Sequence, residues 1–248
     1  MKGKVALVTG GMGGIGTAIC QQLHEEGARV IASYNRNGDH VSAKAWQLEQ
    51  YKMGFDIGIK YVDVANFESC ATMVGEIENE FQAIDILINN AGIIRDVQLS
   101  KMDLAQWEIV LKTNLDGIFN VTRNVINGMI SRFYGRIINI SSIKGQMGQH
   151  GQANYSAAKA GMHGFTKSLA QEVANKCITV NTISPGYIET NMVSGLSEAL
   201  REKLVKQIPV GRFGKPEEVA RVVSFLSSDA SSFITGANIA INGGQYLS

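Results

Sequence analysis

A short β-rich apolar run at residues 4–9 passes directly into Thr9-Gly10-Gly11-Met12-Gly13-Gly14-Ile15-Gly16, and from there into an amphipathic stretch at 15–26. That order of strand, glycine turn and helix constrains the fold more than any other feature of the chain. Five glycines among residues 10–16 let backbone approach a phosphate and deliver it to the free N–H groups of a helix N-terminus. The stretch fits Gly-x-Gly-x-x-Gly as Gly11, Gly13 and Gly16, and Thr-Gly-x-x-x-Gly-x-Gly as Thr9, Gly10, Gly14 and Gly16. A glycine pattern alone is weak evidence. A strand before it, a helix after it and a place in the first βαβ unit make it a dinucleotide site.

The same alternation runs to the end of the chain. Strands are expected at 4–9, 29–33, 57–62, 84–89, 136–140, 179–184 and 239–241, and helices at 15–26, 42–53, 68–81, 104–130, 154–175 and 217–227. Strand–helix alternation implies right-handed crossovers and a doubly wound parallel sheet of the Rossmann type, covered by helices on both faces. No repeat, low-complexity segment or linker divides it, so residues 1–248 read as one α/β domain. Residues 187–214 break the alternation after the sixth strand, and an insertion there is expected to form a lid over the ligand crevice.

Composition excludes several function classes. A formal net charge of +1 carries no nucleic-acid footprint. No apolar run approaches the roughly 18 residues of a membrane span, and the N-terminus enters a strand at once, leaving no room for a signal peptide. A cytoplasmic protein is expected. Cys20, Cys70 and Cys177 are odd in number and widely spaced, and are expected to be buried reduced thiols. His24, His40 and His163 have no partners at ligand spacing, so no metal site is expected.

Chemistry concentrates after the strand ends. After the second strand, in Ser33-Tyr34-Asn35-Arg36-Asn37, no carboxylate stands ready for a ribose 2′-hydroxyl, and Arg36 is suited to a 2′-phosphate. NADP(H) is therefore expected over NAD(H). Asp63 and Val64 follow the third strand, where Asp63 either meets an adenine or makes an ordinary turn. Asn89-Asn90-Ala91-Gly92 ends the fourth, with small residues suited to close approach of the cofactor. Asp103 and Gln106 form a capping-box-like start to a helix whose apolar stripe is Leu104, Trp107, Leu111, Ile118, Val121 and Val125. Asn114 falls inside that stripe, and a buried amide needs partners. It could merely bond to neighbouring backbone, but because of the next pair, Tyr155 and Lys159, it is expected to hold a water behind them.

Tyr155 and Lys159 stand four apart, hence on one face of a helix. An ammonium one turn away is expected to lower a phenol's pKa from roughly 10 towards the range useful in acid–base catalysis. Ser142 lies thirteen residues upstream of Tyr155, past a glycine-rich turn that would return its hydroxyl to the same site.

Taken together, Thr9–Gly16, Asn89–Gly92, Asn114, Ser142, Tyr155-x-x-x-Lys159, and Pro185-Gly186 with Thr190 make the chain resemble the short-chain dehydrogenase/reductases over essentially its whole length. The resemblance implies a seven-stranded sheet, usually a homotetramer, and catalysis by Asn114, Ser142, Tyr155 and Lys159. It also implies that Lys159 holds the nicotinamide ribose and that Ile188 and Thr190 anchor the carboxamide.

Within the family the chain looks most like members that reduce acetoacetyl-CoA with NADPH in polyhydroxybutyrate synthesis. That likeness rests on residues 10–20, 91–96, 145–155 and 184–188. It implies that Gln146, Gln149 and Tyr187 line an acyl pocket, where His150 replaces an aromatic residue often present. The alternative is reduction of a 3-oxoacyl group on acyl-carrier protein. Such enzymes need basic residues near the pocket mouth, and Lys176 matches one such position while Phe133 occupies another. A cofactor sensor without catalysis and a nucleotide-sugar epimerase fit the motifs less well.

Overall fold

Runs of Val, Ile and Leu buried on both faces form the strands of one sheet, as in the wholly buried β1 (Val5–Val8) and β4 (Ile86–Asn89). The computed structural model describes residues 1–35, 38–190, 195 and 197–247. The remaining strands are β2 (Arg29–Tyr34), β3 (Ile57–Tyr61), β5 (Gly135–Ile140), β6 (Ile178–Pro185) and β7 (Asn238–Ile241). Among the described residues they make a seven-stranded sheet in the order β3-β2-β1-β4-β5-β6-β7, every neighbouring pair parallel. The order reverses beside β1, where β2 and β4 flank it. A crevice opens at such a reversal beyond the strands' C-terminal ends.

Two apolar layers cover the sheet. On one face α3 (Phe67–Phe81), α5 (Gly117–Arg132) and α7 (Ala153–Val173) pack through Met73, Ile77, Val121, Val125, Met129 and Val173. On the other face lie α1 (Gly14–Glu25) and a late helix, Pro216–Ser227, through Ile19, Leu23, Val219, Val223 and Leu226. The helix α2 (His40–Lys52) closes the edge near β3. Among the described residues no helix is long and apolar enough to cross a membrane.

The helix expected over 104–130 is interrupted. Asp103 caps α4 (Leu104–Leu111) in a full capping box with Gln106, but Lys112–Asp116 then forms a π-helical turn before α5. One extra residue in a turn rotates the following helix by about 100° relative to the preceding one. The single stripe predicted from Leu104 to Val125 is therefore divided: Leu104 and Trp107 are exposed, while Ile118, Val121 and Val125 are buried.

Residues 187–214 include a helix absent from the sequence reading, α8 (Glu198–Val205), so the late helix is α9. Tyr187, Leu204, Val205, Ile208 and Phe213 form a small apolar cluster of their own, and Ile188 pairs with Gly214. Cys20 and Cys70 are buried as expected, but Cys177 is exposed, because it caps the turn from α7 to β6 in the left-handed conformation.

Candidate active site

The strand ends are fixed first. Asn89 donates to Thr122 Oγ1 at 3.1 Å and to Asn139 Oδ1 at 2.8 Å. Asn139 donates to Thr166 Oγ1 at 2.8 Å, and Thr182 Oγ1 donates to the same oxygen at 2.7 Å. This buried chain crosses β4, β5, α7 and β6 with every link short, which locks the helix carrying the candidate catalytic residues to the sheet. Next to it, Ser141 Oγ donates to Lys159 O at 2.8 Å and lies 3.1 Å from His163 Nε2.

A cavity of about 530 Å³ opens above these strand ends. It receives Ser142, Tyr155 and Lys159, together with Ile15, Asn90, Gly92, Pro185, Gly186, Ile188 and Thr190. Of the residues expected to meet an acyl group, Gln149 and Tyr187 line it. Gln146 does not; its Oε1 is buried without a partner. His150 lies on the cavity edge.

Lys159 is buried, donates to Ile140 O at 2.7 Å and lies 5.6 Å from the Tyr155 ring centroid. Burial holds its pKa down to about 7. Tyr155 goes the opposite way from the expectation. Burial raises its phenol above the usual value, the adjacent Ser142 hydroxyl lowers it, and the Asp96 carboxylate raises it again, with a net rise. A desolvated amine turned to a carbonyl does not offer the full ammonium charge that would depress the phenol.

Asn114 sits in the π-helical turn and is wholly buried. Its Oδ1 accepts from Ile93 N at 2.7 Å and its Nδ2 donates to Ile93 O at 2.8 Å, so the side chain clamps the backbone after β4. The side chain makes the backbone bonds that the first reading of this residue expects. It remains beside the catalytic pair. A Cβ added at Gly92 would lie 3.0 Å from Asn114 Oδ1 and 3.6 Å from Lys159 Nζ.

The glycine turn fits an anionic cofactor. Helix α1 begins at Gly14 with no side-chain cap and no acidic residue in its first turn, which leaves its N–H groups for a phosphate. Substituents are excluded from the turn, since a Cβ at Gly11 would come within 2.6 Å of Ala32 and one at Gly16 within 2.4 Å of Gly10 O. Thr9 and Asn90 support the turn from below. Thr9 Oγ1 accepts from Asn90 N and Ala91 N at 3.0 Å, and Asn90 Nδ2 donates to Thr9 O and Gly10 O. Met12 points into a buried cluster with Tyr34 and Ala43. Gly13 caps α1, and the Thr190 side chain rests against Gly14.

Asp63 makes a turn, its Oδ1 accepting from Ala65 N at 3.1 Å, and Val64 is buried against α5 with its carbonyl accepting from Asn120. Arg36 lies outside the described residues. Asp39, the first carboxylate after β2, caps α2 by accepting from Ser42 N and Ser42 Oγ.

Sequence reasoning missed several cavity residues. Asp96 and Gln152 face each other across the opening, with Gln152 Nε2 donating to both carboxylate oxygens at 2.9 and 2.8 Å. Leu200 and Leu204 come from α8, and Lys144 comes from α6 (Lys144–Met147). By contrast, Lys176 and Phe133 lie near the beginnings of β6 and β5, at the opposite end of the sheet from the cavity. The Lys176 amine stands over the Phe133 ring at 5.2 Å. Their proposed place at the pocket mouth is corrected by the topology: parallel strands put the site and the strand starts at opposite ends. Among the described residues, no group of three or more His, Cys, Asp or Glu could hold a metal ion.

A hydroxyl, a phenol and an amine thus converge on one cavity that also reaches an anion-accepting glycine turn. That arrangement can place a proton on an oxygen beside a bound dinucleotide. A family profile described as enoyl-(acyl carrier protein) reductase matches residues 10–245. The acetoacetyl-CoA reductase of Cupriavidus necator is 51% identical over 247 residues, covering 100% of each chain. That of Allochromatium vinosum is 50% identical over 244 residues, covering 98% of this chain and 99% of its own. The 3-oxoacyl-[acyl-carrier-protein] reductase of Aquifex aeolicus is 47% identical over 246 residues, covering 99% and 98%. With its parallel sheet, its glycine turn and its Ser-Tyr-Lys cavity, the chain belongs to the short-chain dehydrogenase/reductase family.

Proposed function

We propose that this protein reduces acetoacetyl-CoA to (R)-3-hydroxybutyryl-CoA, using NADPH, in the supply of polyhydroxybutyrate synthesis. The observation that carries the reading is the convergence of Ser142, Tyr155 and Lys159 on a cavity shared with Gln149 and Tyr187. Support also comes from relatives near 50% identity, matched along their whole length, that bear the name acetoacetyl-CoA reductase.

The nicotinamide supplies a hydride to the carbonyl carbon when bound. The chain does the rest. Ser142 donates a hydrogen bond to the 3-oxo oxygen and stabilises the charge that develops there. Tyr155 delivers its proton to that oxygen; a phenol held protonated by burial is ready as the acid in the reductive direction. Lys159 holds the nicotinamide ribose and passes a proton back to Tyr155, and Asn114 keeps the backbone around that relay in place. The lid expected at 187–214 lies partly outside the described residues; Leu200 and Leu204 of its described part line the cavity and would face the substrate.

The preference for NADP(H) is supported by Asp39. Both its carboxylate oxygens accept from Ser42 at the start of α2, which gives this first carboxylate after β2 a capping role. Arg36→Asp is expected to shift preference towards NADH in paired initial-rate measurements. A cytoplasmic homotetramer completes the reading, and exposed Leu104, Trp107, Phe119 and Phe233 supply apolar surface for assembly.

The test of substrate is NADPH oxidation by the purified protein with acetoacetyl-CoA and with acetoacetyl-carrier protein at matched concentrations. Preference for the CoA thioester is expected. Preference for the carrier protein would move the enzyme to fatty-acid synthesis, and activity on neither would remove the thioester assignment.

A further inference from the structure

One cation in the cavity has no role in the chemistry above. Lys144 is 7% exposed, and burial lowers its pKa. Its amine donates to Gln149 Oε1 at 3.0 Å and stands 4.7 Å from the centre of the Tyr187 ring. Among the described residues no carboxylate lies within ion-pair distance of it. Asp96, which lines the same cavity, is engaged by Gln152 instead. A desolvated ammonium met only by a neutral amide oxygen and a ring face keeps donor capacity for a further acceptor.

Its position is fixed from two sides. The Lys144 backbone N–H donates to Ser142 Oγ at 3.1 Å, which ties its place to the catalytic hydroxyl. Gly145 then presses against α7, where a Cβ would come within 2.7 Å of the Lys159 carbonyl carbon. The short helix α6 therefore holds Lys144 between the catalytic serine and the pocket residues Gln149 and Tyr187.

We propose that Lys144 is a specificity-determining residue that donates a hydrogen bond to the thioester carbonyl of the 3-oxoacyl substrate. This rests on the acetoacetyl-CoA reading and deepens it. In a 3-oxoacyl thioester the two carbonyls are separated by a single methylene, so an acceptor lies beside the 3-oxo group that Ser142 takes. The phosphates of CoA lie a pantetheine arm away, beyond the reach of a side chain buried in the wall. Lys144 thereby distinguishes a 3-oxoacyl thioester from a ketone that lacks the second carbonyl.

The test compares acetoacetyl-CoA with S-(3-oxobutyl)-CoA, the thioether in which a methylene replaces the thioester carbonyl. Wild-type protein is expected to show a KM, or inhibition constant, about tenfold higher for the thioether, the scale of one hydrogen bond to a charged donor. Lys144→Met should raise KM for acetoacetyl-CoA about tenfold, leave the thioether unchanged and keep kcat within about threefold. The Kd for NADPH, read by fluorescence titration, should not move. Lys144→Gln, which keeps a polar head on a shorter stem, is a second variant and should recover part of the discrimination. Equal weakening of both ligands would overturn the proposal and make Lys144 a packing residue. Wild-type protein that discriminates no better than Lys144→Met would also overturn it. If wild-type protein oxidises NADPH with neither compound, the acetoacetyl-CoA reading fails and takes this inference with it; turnover without discrimination removes the inference alone.

Discussion

Both ends of the central sheet bury cations, and they treat them differently. At the strand starts, Arg136 is almost wholly buried and fully partnered. It donates to the carbonyls of Gly135 and Cys177 at 2.9 and 3.2 Å and to Asp229 at 3.3 Å, and it stacks on Tyr134. At the strand ends, Lys159 and Lys144 meet neutral groups, among the described residues no carboxylate pairs with either, and burial lowers the pKa of both. A cation satisfied by the protein itself supports the structure. One held among neutral acceptors carries unspent donor capacity, which a ligand can use. The contrast is a physical reason to place the proposed chemistry at only one of the two ends.

The largest expected effect lies in the chemistry itself. Tyr155→Phe should lower kcat by about a thousandfold or more, as expected for loss of the proton donor. Its urea midpoint and NADPH affinity should stay close to wild type. Retained turnover would sink the mechanism. A large loss of stability would show that the strand-end groups are structural after all and remove the contrast.

Arg136→Met should produce the reverse pattern. The variant removes the guanidinium from two backbone carbonyls and leaves Asp229 with the Tyr134 hydroxyl alone, at a cost of about 3 kcal/mol in unfolding free energy. Where it is folded, kcat and KM should be those of the wild type. Chemical denaturation followed by circular dichroism, alongside initial rates, checks both halves.

A pH experiment sharpens the contrast further. Lys159 has a folded pKa of about 7, against about 10.4 in an unfolded chain. Between those values the unfolded chain binds a proton that the folded chain does not, so this group makes stability rise with pH, by up to about 1.4 kcal/mol per unit. Lys159→Met should lack that slope. The difference in unfolding free energy between wild type and variant should change by about 2 kcal/mol from pH 7 to pH 9, measured in urea at each pH. A constant difference would mean that Lys159 is protonated throughout.

The parallel sheet and most helices were legible because strands buried on both faces read as unbroken apolar runs, and the glycine turn marks the first crossover. The serine, tyrosine and lysine that meet in the cavity were legible from spacing and from family likeness together. What escaped depends on three-dimensional packing. Lys144 in Ser-Ile-Lys-Gly looks like any solvated loop lysine, and its burial follows from tertiary packing, with Gly145 close against α7 and the side chain against Gln149 and Tyr187. The π-helical turn carries no residue signature in Lys-Thr-Asn-Leu-Asp, yet it divided the apolar stripe and placed Asn114. The rise in the Tyr155 pKa was missed because spacing reveals a nearby charge but not its desolvation. Lys176 and Phe133 were misplaced for want of topology, which sends strand starts away from the cavity.

The smallest expected effect tests whether the end opposite the cavity is one unit or a sum of weak contacts. Lys4 lies over the Tyr134 ring with its amine 3.4 Å from the centroid, and the Tyr134 hydroxyl donates to Asp229 at 2.8 Å. Lys4→Met keeps the apolar stem against the ring and removes only the charge. A partly exposed cation–π contact contributes about 0.5–1 kcal/mol, so the urea midpoint should fall slightly and activity should not change. A loss as large as that of Arg136→Met would mean that Lys4, Tyr134, Asp229 and Arg136 act as a single network, in which case the double variant would cost less than the sum of the two. A fall in kcat without loss of stability would couple the two ends of the sheet and break the contrast between them.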